Sequence, residues 1–331
     1  MSSTSPSGHS QITTDIRHAA QLLRDGRLVA FPTETVYGLG ANATSPLAVA
    51  QIFEAKQRPT FDPLIVHIAD LSQLDSVVAS IPPQARMLIQ NLWPGPLTLV
   101  LPKQDSIPDL VTAGLPGVGV RIPNHHVALE LLRAAGCPVA APSANPFGGI
   151  SPTTAQHVLD GLGSKVDCIL HGGSCEVGVE STVVSFMQAE PIVLRPGGCP
   201  IESIESLIGP IERAVSDFSQ DDAAQPAPGM LSRHYAPATP LMLVAQNEMA
   251  RAINGCRTGL LTCAKQPYSG HFERIIELSE TEDLQTCAAK FFASMRSLDS
   301  CGLDVIIAHQ FPDYGLGIAL NDRLRRAACR D

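Results

Sequence analysis

The chain predicts a mixed α/β protein of two domains, on three observations. Apolar runs of strand length alternate with helical patterns from about residue 15 to the end. Glycine and proline number 26 and 27 among 331 residues, above ordinary usage, which favours many turns over long helical bundles. The length exceeds what a single compact core usually serves.

Residues 15–25 place Ile16, Ala19, Ala20 and Leu23 at helical spacing, and Gly26 follows as a stop signal. The run LVAF (28–31) reads as a strand that delivers the turn PTETVYGLG (32–40). In open α/β sheets such turns hold ligands because the sheet fixes their stems. Thr33, Glu34, Thr35 and Tyr37 are therefore candidate contacts. The same stretch also reads as a plain turn in which a threonine caps backbone and the glycines supply positive φ. Next, Ser45 caps a helix with Pro46 at its first position and Val49, Ile52 and Phe53 inward. This helix leads to Lys56 and Arg58. Because Pro59 biases Arg58 away from helical geometry, the segment is expected to leave the helix partly extended, with both cations on one side. They either converge on an anion or complement the helix macrodipole.

The strand PLIVHI (63–68) carries His67, which by itself reads as a hydrogen-bonded structural histidine. Further strand-length runs lie at 96–101, 118–123, 137–145, 167–173, 180–186 and 191–197. Several hold a polar group near one end: Arg121, Ser143 with Asn145, Ser181 with Thr182, and Arg195. A guanidinium in an apolar strand needs a paired anion, here Glu34 or Glu180, or an opening onto a cleft. Two such arginines favour the cleft. Ser151 is expected to cap a helix with Pro152 first, an N-terminus that either receives phosphate or is capped and nothing more. Neither GxxxxGK[ST] nor GxGxxG occurs, so a nucleotide would be held in another way.

Residues 201 to about 226 begin as a helix and pass into acidic, proline-bearing linker composition. The segment APGMLSRHYAP (227–237) is furnished with Met230, Arg233, His234 and Tyr235 for docking. From residue 240 a second alternation ends in a helix with Leu320, Leu324 and Ala327 inward, which predicts a small doubly wound domain. The stretch DYGLG (313–317) reads as a loop.

The net charge of −9 divides as −4, −4 and −1 over residues 1–200, 201–240 and 241–331. No region is basic, which disfavours polyanion binding as the main activity and leaves room for a small anion in a cationic cleft. Nine scattered cysteines, never spaced CxxC, point to reduced thiols rather than a disulfide framework or zinc ribbon. The N-terminal stretch lacks the apolar core of a signal peptide, and no run of about 18 apolar residues occurs. The expectation is a cytoplasmic protein without membrane attachment, unstructured over residues 1–14.

Taken in order, PTETVYGLG, KQRP with PLIVH, WPGPLTLVL, GVRIP, APSAN with SPTT, VGVESTVV, IVLRPG and APGMLSRHYAP resemble the YrdC-type threonylcarbamoyl-AMP synthases, in their long two-domain form. The motifs cover residues 20–237 densely, and DYGLGIALNDRLRRAA carries a weaker match beyond. The resemblance implies a twisted mixed open sheet with a concave cavity in residues 15–212, a linker over 213–239 that covers the site, and a Rossmann-like C-terminal domain in 240–331. It implies synthesis of threonylcarbamoyl-AMP and pyrophosphate from L-threonine, bicarbonate and ATP with Mg²⁺. A separate transferase then uses the product on tRNA, so no stable nucleic-acid binding is expected.

Residue by residue, the resemblance sets Thr35, His67, Arg121, Ala141 and Ser181 around threonine. It sets Lys56, Arg58, Asp62, Gly117, Ser143, Asn145, Ser151, Arg195 and Tyr235 around ATP, with Lys56, Arg58, Ser143 and Asn145 catalytic and no metal-ligating side chain. Phe61 with Asp62, and Leu231 with Ser232, depart from the usual family residues near the triphosphate and in the linker. The alternatives are an RNA-binding module on the same concave surface and a carbamoyl-transfer domain. Relatives of the latter kind carry paired-cysteine zinc motifs that this chain lacks.

Overall fold

The computed structural model describes residues 11–214, 225–231 and 234–329. The N-terminal half runs β1 (Gln11–Thr13), α1 (Ile16–Arg24), β2 (Val29–Phe31), β3 (Gly38–Asn42), α2 (Pro46–Lys56) and β4 (Ile65–His67). It continues α3 (Pro83–Leu92), β5 (Leu97–Pro102), α4 (Asp109–Thr112), β6 (Gly117–Arg121), α5 (His126–Ala135) and β7 (Val139–Ala140). It closes with α6 (Ala155–Leu162), β8 (Cys168–Leu170), β9 (Thr182–Ser185), β10 (Ile192–Arg195), α7 (Ile201–Ile208) and β11 (Glu212–Arg213). These strands form one mixed sheet in the order β1-β8-β2-β3-β7-β4-β6-β5-β9-β10-β11.

The alternation of strand side chains divides this sheet. Val66, Val120 and Ala140 enter the larger core beneath α2, α3 and α7, while Phe31, Val139 and Ala141 face the smaller core under α1 and α5. Ser45 caps α2 by accepting the Ala48 amide at 3.3 Å, with Pro46 first, as the pattern predicts. Residues 11–13, expected to be unstructured, instead pair in parallel with β8, because Ile12 packs on the larger core. Residues 1–10 lie outside the described set.

Two expectations about helix ends are corrected. The KQR segment does not leave α2 extended: Gln57 adopts a left-handed cap at φ 54°, and the Arg58 amide returns to Phe53 O at 3.0 Å. Ser151 is not a helix cap. Thr154 caps α6, taking the His157 amide at 3.2 Å, so the α6 amides lie away from Ser151.

The C-terminal half comprises β12 (Leu241–Val244), β13 (Ala250–Arg251), β14 (Thr258–Thr262), β15 (Tyr268–Ser269), β16 (Arg274–Glu277), α8 (Leu284–Asp299), β17 (Val305–His309) and α9 (Leu316–Ala328). Strands β12-β17-β14-β16 form a parallel sheet, the arrangement expected of alternating strands and helices. Both helices pack on one face, with Leu241, Leu261, Ile306 and Ala308. The other face is covered by Ala250 and Phe272 over Leu260 and Ile307, so this small sheet is not wound on both sides. The outer side of α8 and α9 meets the N-terminal half, through Arg323 with Glu180 and Arg296 with Ile150. No described helix is long and apolar enough to cross a membrane.

Candidate active site

The sheet face opposite the larger core carries a buried pocket, at a place where Ile65, His67, Arg121 and Ala141 point outward from it. His67, Arg121 and Arg195 are the last residues of β4, β6 and β10, and register pairs His67 directly with Arg121. The turn after β2 brings Thr33 and Thr35, whose hydroxyls lie 2.7 Å apart. Thus nine predicted residues line one cavity: Thr35, Arg58, His67, Arg121, Ala141, Ser143, Ser181, Arg195 and Tyr235.

Arg121 is fully committed on one edge and open on the other. Its Nη2 pairs with Glu34 at 2.7 Å and its Nη1 donates to Thr35 Oγ1 at 3.2 Å, while Nε has no partner. Arg195 meets no carboxylate among the described residues. It donates to Pro228 O at 2.7 Å and Ser181 O at 2.9 Å, and its Nε is likewise unpartnered. Arg121 thus both forms the Glu34 pair, the alternative reading of its strand, and lines a cleft, while Glu180 pairs with Arg323. His67 stands edge-on to Phe31, and burial, then Arg121, pushes its imidazole down to about 3. It is a neutral group at physiological pH.

Five predicted residues stand behind the wall. Lys56 is buried, and its Nζ donates to Ser143 O at 2.6 Å and to Asn145 O. Burial first, and Arg58 second, push its ammonium well below the usual lysine range. Asn145 spans its own loop, donating to Pro146 O and Gly149 O at 2.8 Å each, with Oδ1 unpartnered. Asp62 is completely buried and pairs with Arg58 at 2.9 Å, so this departure from the family residue compensates the charge of the cation. Burial pushes its carboxyl up, and Arg58 opposes that. Gly117 lines a small adjoining hollow under Pro226 and Pro228. Ser151 donates to Glu180 at 2.5 Å.

The described part of the linker lines the cavity. Pro228, Gly229, His234 and Tyr235 form its outer wall. Gly229 takes φ +76°, and a Cβ there would stand 2.3 Å from the Tyr235 hydroxyl, so only glycine lets the ring enter. The residual space is about 50 Å³, which holds a few waters and falls far short of a nucleotide. The departure at Leu231 is buried, while Ser232 and Arg233 lie outside the described residues.

Two groups escaped the sequence reading. Glu180 appeared there only as a partner for an arginine strand, yet it lines the pocket. Arg323 on α9 is completely buried and donates to Glu180 Oε2 at 2.9 Å. A helical projection offered the signal, since position 323 falls between the inward Leu320, Leu324 and Ala327.

The donor set does not fit a resident metal. Among the described residues no three His, Cys, Asp or Glu side chains cluster, and the carboxylates of Glu34, Asp62 and Glu180 are each held by an arginine.

Fold and site together define a nucleotidyltransferase whose pocket is built of arginines, hydroxyls and backbone rather than a phosphate-binding loop. The chain belongs to the Sua5/YciO/YrdC family, whose profile, described as telomere recombination, matches residues 21–197. A second profile, threonylcarbamoyl-AMP synthase, C-terminal domain, matches residues 199–329. Threonylcarbamoyl-AMP synthase of Pyrococcus abyssi is 43% identical over 326 residues, covering 95% of this chain and 94% of that protein. The enzyme of the same name from Bacillus subtilis is 44% identical over 323 residues, covering 95% and 92%. The crystal structure of P. abyssi Sua5 complexed with L-threonine superimposes with a TM-score of 0.86 at 42% identity, covering 95% of this chain and 94% of that one.

Proposed function

We propose that the chain joins L-threonine, bicarbonate and ATP into L-threonylcarbamoyl-AMP and pyrophosphate, with the cavity on the catalytic sheet as the reaction chamber. The observation that carries this is the convergence of Arg58, Arg121 and Arg195 on one buried pocket, two of them with a free Nε. Threonine's amine and bicarbonate give a carbamate with loss of water. Its oxygen bonds to the α-phosphorus as the bond to pyrophosphate breaks. One anion attacks another, so the step requires cations and fixed donors more than a strong base.

In this reading Arg121 takes threonine's carboxylate in exchange for Glu34, beside Thr35, His67, Ala141 and Ser181. Arg58, Arg195, Ser143 and Tyr235 meet ATP from the cavity side. Lys56, Asp62, Asn145, Gly117 and Ser151 act from behind the wall until the pocket opens. Magnesium enters on the triphosphate as part of the substrate, in keeping with the committed carboxylates. Residues 15–212 are the catalytic unit, 240–331 the C-terminal one, and 213–239 a cover that must move to admit ATP and then excludes water from the labile mixed anhydride. The product passes to a cytoplasmic transferase acting on tRNA.

The test is pyrophosphate release with MgATP, omitting L-threonine or bicarbonate in turn. Release that needs both is expected, and release indifferent to either sinks the reading. Tyr235→Ala is expected to raise ATP hydrolysis relative to product by about tenfold; an unchanged ratio removes the cover hypothesis.

A further inference from the structure

Helix α9 buries an arginine inside its apolar stripe, an arrangement that needs strong partners to offset desolvation. Arg323 finds them on the other half of the molecule. Its Nε donates to Glu180 Oε2 at 2.9 Å, and its Nη1 to Pro196 O at 2.8 Å and to its neighbour Asp322 at 2.7 Å. Its guanidinium carbon also stands 5.0 Å from the centre of the Tyr235 ring. One side chain of the C-terminal half thus touches both the pocket wall and the cover.

The docking around it is close. Two residues before Glu180, Gly178 has φ +74°, and a Cβ there would stand 2.3 Å from Ala288 O of α8. From the same helix, Arg296 donates to Ile150 O, beside the Ser151 that donates to the other oxygen of Glu180.

Glu180 poses a problem for a chamber that receives a triphosphate. A buried carboxylate on its wall repels the substrate unless a cation neutralises it. Of the pocket's own arginines, Arg121 pairs with Glu34 and Arg58 with Asp62. Arg195 turns its two Nη groups to Pro228 and Ser181 and makes no ion pair with Glu180. The neutralising cation comes from the C-terminal half.

We propose that Arg323 is a positioning residue for ATP binding, which screens and orients Glu180 beside Ser151 and seats Tyr235, so that the C-terminal half completes the nucleotide side of the pocket. This rests on the proposed reaction. A purely adhesive Arg323 would leave substrate constants alone once the folded fraction is allowed for. A screening Arg323 predicts a defect confined to ATP, relieved by removing the stranded charge.

The experiment measures KM for ATP and for L-threonine by pyrophosphate release, and the Kd for ATP directly, in the wild type and in R323Q, R323K, R323Q/E180Q, R326Q and R326Q/E180Q. R323Q is expected to weaken ATP by about tenfold or more, with little change for threonine, and R323K to lie between it and the wild type. R323Q/E180Q is expected to recover most of the ATP affinity, because the amide that replaces the Glu180 carboxylate still accepts from Ser151 and carries no charge. Arg326 holds Met230 O and Leu231 O and does not touch Glu180, so R326Q/E180Q is expected to show no such recovery over R326Q. Equal losses for both substrates, or no recovery in R323Q/E180Q, overturn the proposal. If R323Q does not fold, R323Q/E180Q decides alone: ATP binding near the wild-type value supports the proposal, and ATP binding lost despite a folded protein overturns it. A wild type that releases no pyrophosphate sinks the reaction reading instead, and the direct ATP Kd still reports on Arg323.

Discussion

Two sets of buried arginines do different work in this molecule. Arg121 and Arg195, at the ends of β6 and β10, each keep an unpartnered Nε and line the cavity. Arg323 and Arg326, on α9, are bound to Glu180 and Asp322 and to the carbonyls of Pro196, Met230 and Leu231. Arg323 also has one unpartnered nitrogen, Nη2, but it does not line the cavity, and a buried cation held by carboxylates and carbonyls away from a cavity fastens a frame. One with a donor to spare beside a cavity is set to receive an anion. The same residue type therefore serves as anchor in one half and as receptor in the other.

The largest effect that tests this contrast belongs to Arg195. Arg195→Gln is expected to lower kcat/KM for ATP by about 100-fold or more, as loss of a preorganised donor does, with the melting temperature nearly unchanged. A folded, active Arg195→Gln would erase the distinction. Next comes Arg121→Lys, since an ammonium cannot reproduce a planar fork. KM for L-threonine is expected to rise roughly tenfold or more with KM for ATP little changed. A rise shared by both substrates would show that Arg121 holds the frame as well.

Away from Arg323, the C-terminal half is expected to answer in stability instead. Ile306→Val, at a completely buried position under α8 and α9, is expected to cost about 1 kcal/mol by urea unfolding with both KM values unchanged. A separate effect concerns acid. His67 titrates near 6.5 when unfolded and about 3 when folded, so the unfolded chain binds the extra proton between these values. Stability is full above about pH 6.5 and is lost as pH falls towards 3. His67→Gln removes that slope, and parallel losses in both proteins would assign acid sensitivity elsewhere.

How much of this was legible follows from range. The cap at Ser45, the inward stripe of α2 and the order of strands and helices all rest on neighbours within a turn or two, and they stand in the structure as read. Ser151 failed for the same reason in reverse. Ser-Pro before a helical pattern reads locally as a cap, but its hydroxyl is taken by Glu180, 29 residues on, and Thr154 caps the helix. The Lys56 and Arg58 geometry failed because a left-handed Gln57 is one torsional choice that composition does not reveal.

By itself the sequence determined the α/β alternation, the two halves and the residue types that an anionic reaction needs, because periodicity and turn chemistry act over a few residues. The tertiary structure alone decided which cation meets which anion. Arg121 reaches Glu34 across 87 residues, and Arg323 reaches Glu180 across 143. Such partners are chosen by the closing of the whole chain, since a buried charge settles wherever packing leaves it an anion, and no local pattern records that choice.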